Sequence, residues 1–137
     1  MTAADHRVQR AVLTRAVVRA SQLLGITQSC VAQTLGVRES TASRMFAGNY
    51  RLDPGRKEWE FAALFVRMFR SLDSIVGNDE AARVWLTSVN HALGARPVDL
   101  IPRAEGMVRV IFYLDAARER DKRIIGRAKL ARRLESL

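Results

Sequence analysis

Between Arg38 and Asn49 the chain concentrates side chains that can hydrogen-bond to a partner: Arg38, Glu39, Ser40, Thr41, Ser43 and Arg44, with Asn49 just after Gly48. At helical spacing these fall on one edge, because Ala42, Met45 and Phe46 supply the opposite, apolar one. An arginine fork can address guanine O6 and N7, a carboxylate can accept from cytosine N4, and hydroxyls can serve bases or phosphates. The chemistry implied is the reading of duplex DNA. No carboxylate pair, Ser-His-Asp set, metal-ligand spacing or glycine-rich phosphate loop stands out, so no catalytic residue, metal or cofactor is expected and the chain reads as a binding protein, not an enzyme.

The elements that must hold this edge are two short helices meeting at a tight turn, over TQSCVAQTLGVRESTASRMFAG from Thr27 to Gly48. Thr27 is an N-cap hydroxyl for a helix from Gln28 to Leu35, and Gly36 can take the positive φ of a sharp turn. Ala32 sits where the helices would touch, and Val37 plugs the turn. A second helix opens at Arg38 to Thr41 and ends at Gly48 and Asn49. This is a helix-turn-helix, in which the second helix enters the major groove while the first crosses the backbone. An ordinary helical hairpin with solvated serines is the alternative. The stretch resembles the Xre or phage-repressor type, a resemblance that implies phosphate contacts for Gln28 and Asn49; Cys30 departs from the acidic or polar residue usual at its place.

At 137 residues and 48% hydrophobic content, the chain can bury one ordinary core or two small ones. Apolar residues recur at helical spacing nearly throughout and no alternating β-branched run appears, so the fold class expected is all-α. A formal charge of +9 and a pI near 11.1 imply a polyanionic partner or an acidic protein surface. Cys30 alone excludes an intramolecular disulfide and fits a reducing compartment, and His6 and His91 are too few and too distant for a metal site. With charged residues where a signal peptide needs an apolar run, and no stretch fit to span a bilayer, a cytoplasmic location and no membrane partner are expected.

Along the chain, residues to about Asp5 are expected to fray. Leu13, Ala16, Val17, Ala20, Leu23 and Leu24 then form a scaffold stripe ending at Gly25, with Arg7, Arg10, Arg15 and Arg19 opposite as a mainly solvated face. Asp53, Pro54 and Gly55 make a turn. From Trp59 a stripe of Phe61, Leu64, Phe65, Met68, Phe69, Leu72, Ile75 and Val76 predicts a long helix that is core and can also hold a dimer together. Gly77 and Asn78 separate it from a helix with Ala82, Trp85, Leu86, Val89 and Leu93 on one face. A single-turn helix around Val98, Leu100 and Ile101 follows, and Glu105 and Gly106 lead into a last helix with Met107, Val110, Ile111, Leu114 and Ala117 inward. Phe112 and Tyr113 fall partly off that face and are candidates for contact with another chain.

The helix-turn-helix is followed by W-L-x-x-x-N-x-x-L-G-x-x-P-x-x-L-I from Trp85 and G-M-V-R-V-x-x-x-L-D from Gly106. That combination resembles the Xre/MbcA/ParS antitoxins, in which the second block is a small helical toxin-binding domain and the partners are commonly RES-domain toxins that consume NAD. The resemblance places Trp85, Asn90, Leu93, Pro97, Leu100, Ile101, Gly106, Val110 and Leu114 at marked positions. Among these Trp85, Asn90, Pro97, Leu100 and Ile101, with Tyr113, are the candidate toxin contacts. Taken singly, Trp85, Leu93, Leu100, Val110 and Leu114 also read as core, and Asn90 as a turn cap. The organisation expected is a helix-turn-helix lobe at 8–56, a connecting and dimerising helix at 57–76, a toxin-binding lobe at 77–118 and a basic tail at 119–137. That tail, with Leu130, Leu134 and Leu137 at helical spacing among arginines, extends past the usual end of the family and is an extension of the last helix, an insert into an acidic partner cleft or a second DNA contact.

The function implied is an antitoxin that occludes its RES-type toxin and, as a homodimer, represses its own operon at double-stranded operator DNA. A stand-alone repressor whose second half only dimerises is the alternative.

Overall fold

The computed structural model describes the backbone of residues 2–135 and the side chains of residues 2–120. Its helices are α1 (Ala3–Leu24), α2 (Gln28–Leu35), α3 (Glu39–Phe46), α4 (Lys57–Val76), α5 (Asp79–Thr87), α6 (Pro97–Leu100) and α7 (Ala104–Glu135). The extended pairing among the described residues is a lone antiparallel bridge between Asn90 and Ala95. The fold is all-α, a helix-turn-helix followed by a smaller helical part. None of the described helices is long and apolar enough to cross a membrane.

Local chemistry sets most helix ends. The Thr2 hydroxyl accepts from the Asp5 N–H at 3.2 Å while the Asp5 carboxylate accepts from the Thr2 N–H at 3.0 Å. This reciprocal cap starts α1 at Ala3, where fraying to about Asp5 is expected from the sequence. Thr27 accepts from the Cys30 N–H at 3.1 Å and Asn78 from the Ala81 N–H at 2.8 Å, so α2 and α5 begin at the foreseen residues.

Two expectations in the second half are corrected. Helix α5 stops at Thr87, leaving Val89 beyond its end and 67% exposed instead of on the inward face. Thr87 and Ser88 turn their hydroxyls onto the Arg83 and Val84 carbonyls at 2.9 and 2.6 Å, a side-chain competition that weakens the helical ladder there. Gly106 does not precede α7 but lies in its first turn, where a Cβ would overlap the Leu100 carbonyl. Glycine is needed there because α7 crosses the backbone at the end of α6 at close range. The tail positions Leu130, Leu134 and Leu137 lie outside the described side chains.

One core runs through the molecule. It joins Val17 and Leu24 of α1, Leu35 of α2 and Met45 of α3, through Phe65, Met68 and Leu72 of α4, to Val110, Ile111 and Leu114 of α7. Helix α4 packs on α1, α2 and α5, and most extensively on α7. Phe65, Met68 and Leu72 of the expected stripe are therefore consumed within the chain and are not open to a second copy, while Phe61, Leu64, Phe69, Ile75 and Val76 stay half-buried.

Because α4 serves both halves, Met68→Ala is expected to destabilise the chain by about 2–5 kcal/mol. The loss should appear as one transition at the same temperature whether followed by circular dichroism, by Trp59 fluorescence in a Trp85→Phe background or by Trp85 fluorescence in a Trp59→Phe background. Two separated transitions would show that the halves unfold independently.

Candidate nucleic-acid interface and partner surface

The turn between α2 and α3 closes as its residues require. Gly36 takes φ 73° and the Val37 N–H donates to the Ala32 carbonyl at 2.9 Å, while Ala32, Ala42 and Met45 are buried at the helix contact. Gln28 lies exposed at the start of α2. Arg38, Ser40, Ser43 and Arg44 lie exposed along α3, Asn49 lies exposed just past it, and Thr41 is half-buried.

Two of these side chains have internal partners. Glu39 is exposed and accepts on one oxygen from the Ser29 hydroxyl at 2.6 Å, tying the first turn of α3 to α2 and leaving its second oxygen open. The Arg44 guanidinium lies 5.3 Å from the centre of the Tyr50 ring, within range of a cation–π contact.

Behind α3 the segment from Tyr50 to Arg56 is strapped to the scaffold. Arg10 donates through Nε to the Leu52 carbonyl at 2.8 Å and through its terminal nitrogen to the Arg51 carbonyl at 3.2 Å. The Leu52 N–H donates to the Thr14 hydroxyl at 3.0 Å. Arg10 is thus a structural clamp, not part of a solvated face. Glu58 is buried and accepts on one oxygen from the Tyr50 hydroxyl at 2.7 Å and from the Asp53 N–H at 3.1 Å. Burial first, and the bond to Glu58 second, push the Tyr50 phenol up to about 12. Burial likewise raises the thiol of the half-buried Cys30, which disfavours its thiolate.

Sequence reading missed Tyr50, Thr14 and Glu58: the Thr14 contact to Leu52 spans 38 residues, and the Glu58 contacts to Tyr50 and Asp53, though only 8 and 5 residues apart, close across a non-helical turn that no helical period describes. A glutamate in the first turn of α4 signals only a helix start. Between strap and turn opens a recess of about 590 Å³ lined by Arg38, Arg44, Arg56 and Lys57, with Arg10, Tyr50, Asp53 and Glu58 among its walls. Its cations outnumber its acids, which suits a phosphate backbone running beside α3.

A second surface lies on α5 and α7. Trp85 is half-buried, its ring stacked on Tyr113 with centroids 6.0 Å apart and planes inclined by 24°. It borders a shallow apolar recess with Val76, Ala81 and Val84, and Val84 and Phe112 are 59% and 66% exposed. The other candidate toxin contacts divide. Pro97 and Ile101 are buried in the interior, Pro97 opening α6 and Ile101 joining the core, so neither offers its side chain to a partner. Asn90 accepts from the Leu93 N–H at 3.1 Å while its own N–H donates to the Ala95 carbonyl at 3.0 Å, which makes it a turn former. Leu100 is half-buried. Val84 was not singled out from the sequence, since one valine off an apolar stripe carries no signal of its own.

The family described as the antitoxin Xre-like helix-turn-helix domain matches residues 3–67, and that described as the antitoxin Xre/MbcA/ParS C-terminal toxin-binding domain matches residues 71–120. The chain belongs to the Xre/MbcA/ParS antitoxin family. A chain of the crystal structure of the M. tuberculosis MbcT-MbcA toxin-antitoxin complex is similar to it, with a TM-score of 0.60 and 27% identity over 79% of this chain and 95% of that one. No curated protein matches the sequence. In this antitoxin the helix-turn-helix match extends into α4, so the helix that closes the first domain also underlies the second.

Tyr50 yields a pH prediction. Its folded pKa, about 12, lies above the ordinary 10.0. The stability tied to its protonated form is therefore complete below pH 10 and falls as pH rises towards 12. Tyr50→Phe is expected to flatten that alkaline fall in denaturant midpoints, and the wild-type absorbance titration should contain a tyrosinate step near pH 12.

Proposed function

We propose that this antitoxin represses its own operon by binding operator DNA through α3, and that it neutralises a RES-type, NAD-consuming toxin by stoichiometric occlusion. The observation that carries the reading is the pairing, on one rigid core, of an outward polar edge on α3 with a separate aromatic surface at Trp85 and Tyr113. The toxin class follows from the family resemblance, and the complex named for the M. tuberculosis relative supports a protein partner.

In the DNA half, Arg44, Arg38, Ser40 and Ser43 address base edges or phosphates, Thr41 supports them, and Gln28 and Asn49 hold the backbone on either side. Glu39 positions α3 through Ser29. The recess at Arg56 and Lys57 lends sequence-independent attraction, so affinity falls steeply with salt. A homodimer places two recognition helices on half-sites about 10 base pairs apart. In the toxin half, Trp85 with Tyr113 and Leu100 forms the anchoring apolar surface, and Val84 and Phe112 extend it. The basic tail beyond Arg118 enters or flanks the toxin's substrate cleft. Both events take place in the cytoplasm, where operon and toxin meet.

Coexpression with the neighbouring gene, followed by affinity capture, tests the toxin half, and a footprint on the upstream region tests the operator half. Arg44→Ala is expected to weaken operator binding by about 1–3 kcal/mol and relax specificity at one base pair while leaving toxin capture intact. An equal loss across unrelated sequences would reassign Arg44 to phosphate. Trp85→Ala is expected to lose toxin capture with operator binding retained. A fall in melting temperature matching loss of a core residue, with capture unchanged, would place Trp85 in the interior only.

A further inference from the structure

Apart from the α3 edge and from the Trp85–Tyr113 pair, helices α1, α4 and α7 enclose a groove of about 720 Å³. Sites for small organic molecules occupy about 300–1,000 Å³ and are mostly apolar with a few convergent polar groups. The groove has that make-up. Leu13 and Trp59 are half-buried in its walls, Val66 is buried, and Val12 borders it on α1 at 60% exposure.

Its charges are unbalanced. Arg67, Arg70 and Arg118 stand in the walls against one acid, Asp115. That acid is already engaged, by Arg67 at 2.7 Å and by the Ser71 hydroxyl at 3.1 Å. Arg70 has no hydrogen bond or ion pair among the described residues. Arg118 keeps a buried Nε–H with no acceptor among them, an arrangement that costs free energy until an acceptor arrives.

The charges also gather at one end. Along α4 the lining residues run Trp59, Ala63 and Val66, then Arg67, Arg70 and Ser71, so the wall is apolar for its first half and cationic for its second. From Trp59 to Arg70 it extends about 16 Å. Because Asp115 bonds to both Arg67 and Ser71, that part of α7, with Arg118 on the neighbouring turn, lies at the cationic end. An acidic amphipathic helix spreads its carboxylates along its length and would meet cations at one end only. A molecule with one anionic head and an extended apolar chain matches both halves. The apolar recess at Trp85 does not suit it, since the one charged residue in that wall is Glu80.

We infer that the α1–α4–α7 groove binds a free long-chain carboxylate, its head between Arg70 and Arg118 and its chain laid along Val66, Ala63 and Trp59. The carboxylate supplies the acceptor that Arg118 lacks and neutralises part of the arginine surplus through charge-assisted hydrogen bonds. This site depends on neither the operator reading nor the toxin reading.

The test is titration of the full chain, carrying Trp85→Phe so that Trp59 alone reports, with dodecanoate below its micelle-forming concentration, followed by fluorescence and by calorimetry. One site per chain and a saturable change at Trp59 are expected. Octanoate should bind at least roughly tenfold more weakly, because fewer methylenes leave water. Dodecyltrimethylammonium, the same tail under a cationic head, should leave Trp59 unchanged. Arg70→Glu should weaken dodecanoate binding roughly tenfold. Ala63→Trp, at an exposed position in the apolar half, should abolish it. Both variants should keep the wild-type circular dichroism. Absence of a saturable Trp59 change, an equal response to the cationic amphiphile, or several equivalent sites that survive Ala63→Trp, as expected of loose attraction to a chain of charge +9, overturns the assignment. A Trp59 response to an acidic helical peptide or to a captured toxin, with none to dodecanoate, gives the groove to a protein and overturns it as well.

Discussion

Helix α4 is the constraint on which the molecule turns. Phe65, Met68 and Leu72 are buried in a core that also contains Val17, Leu35 and Met45 on one side and Val110, Ile111 and Leu114 on the other. A chain this short has little apolar surface to divide, and one shared core buries more of it than two separate ones could. The DNA-reading part and the toxin-binding part of this antitoxin are therefore two faces of one packed body. Each face holds its place because the same helix backs both.

A polar network does for α3 what the apolar core does for the helices. The segment after α3 would otherwise be a free loop, but Arg10, Thr14 and Glu58 satisfy its backbone and its tyrosine from two helices at once. A buried carboxylate is costly unless hydrogen-bonded, and Glu58 accepts from both the Tyr50 hydroxyl and the Asp53 N–H. The consequence reaches the recognition edge, because Tyr50 is also the ring beneath Arg44. A guanidinium held in this way gives up less conformational entropy when it meets a partner.

The described surface separates its tasks by chemistry. Arginines and short polar side chains gather around α3 and the recess behind it, a composition that suits a polyanion. Trp85, Tyr113, Val84 and Phe112 lie on α5 and α7 and are side chains of the kind that anchor an apolar protein contact. The Trp85 ring is half-buried and braced by Tyr113, so it combines a fixed orientation with an open edge.

What the residues alone determined was local. Thr27, Gly36 and the apolar run of Ala42, Met45 and Phe46 specify two helices and their turn, because caps, positive φ and helical period act within a few residues. The motif from Trp85 to Gly106 was legible as a family pattern, but not the duty of each residue in it. Only tertiary structure could decide that Pro97 and Ile101 face inward, that Asn90 closes a turn, and that Val89 falls past a helix end. Arg10 had the spacing of a solvated cation and became a clamp, since the carbonyls it binds lie about forty residues away in sequence, as its separations of 42 and 41 record. Helical period tells which residues share a face; what covers that face is settled by packing between distant segments, and no local pattern encodes it.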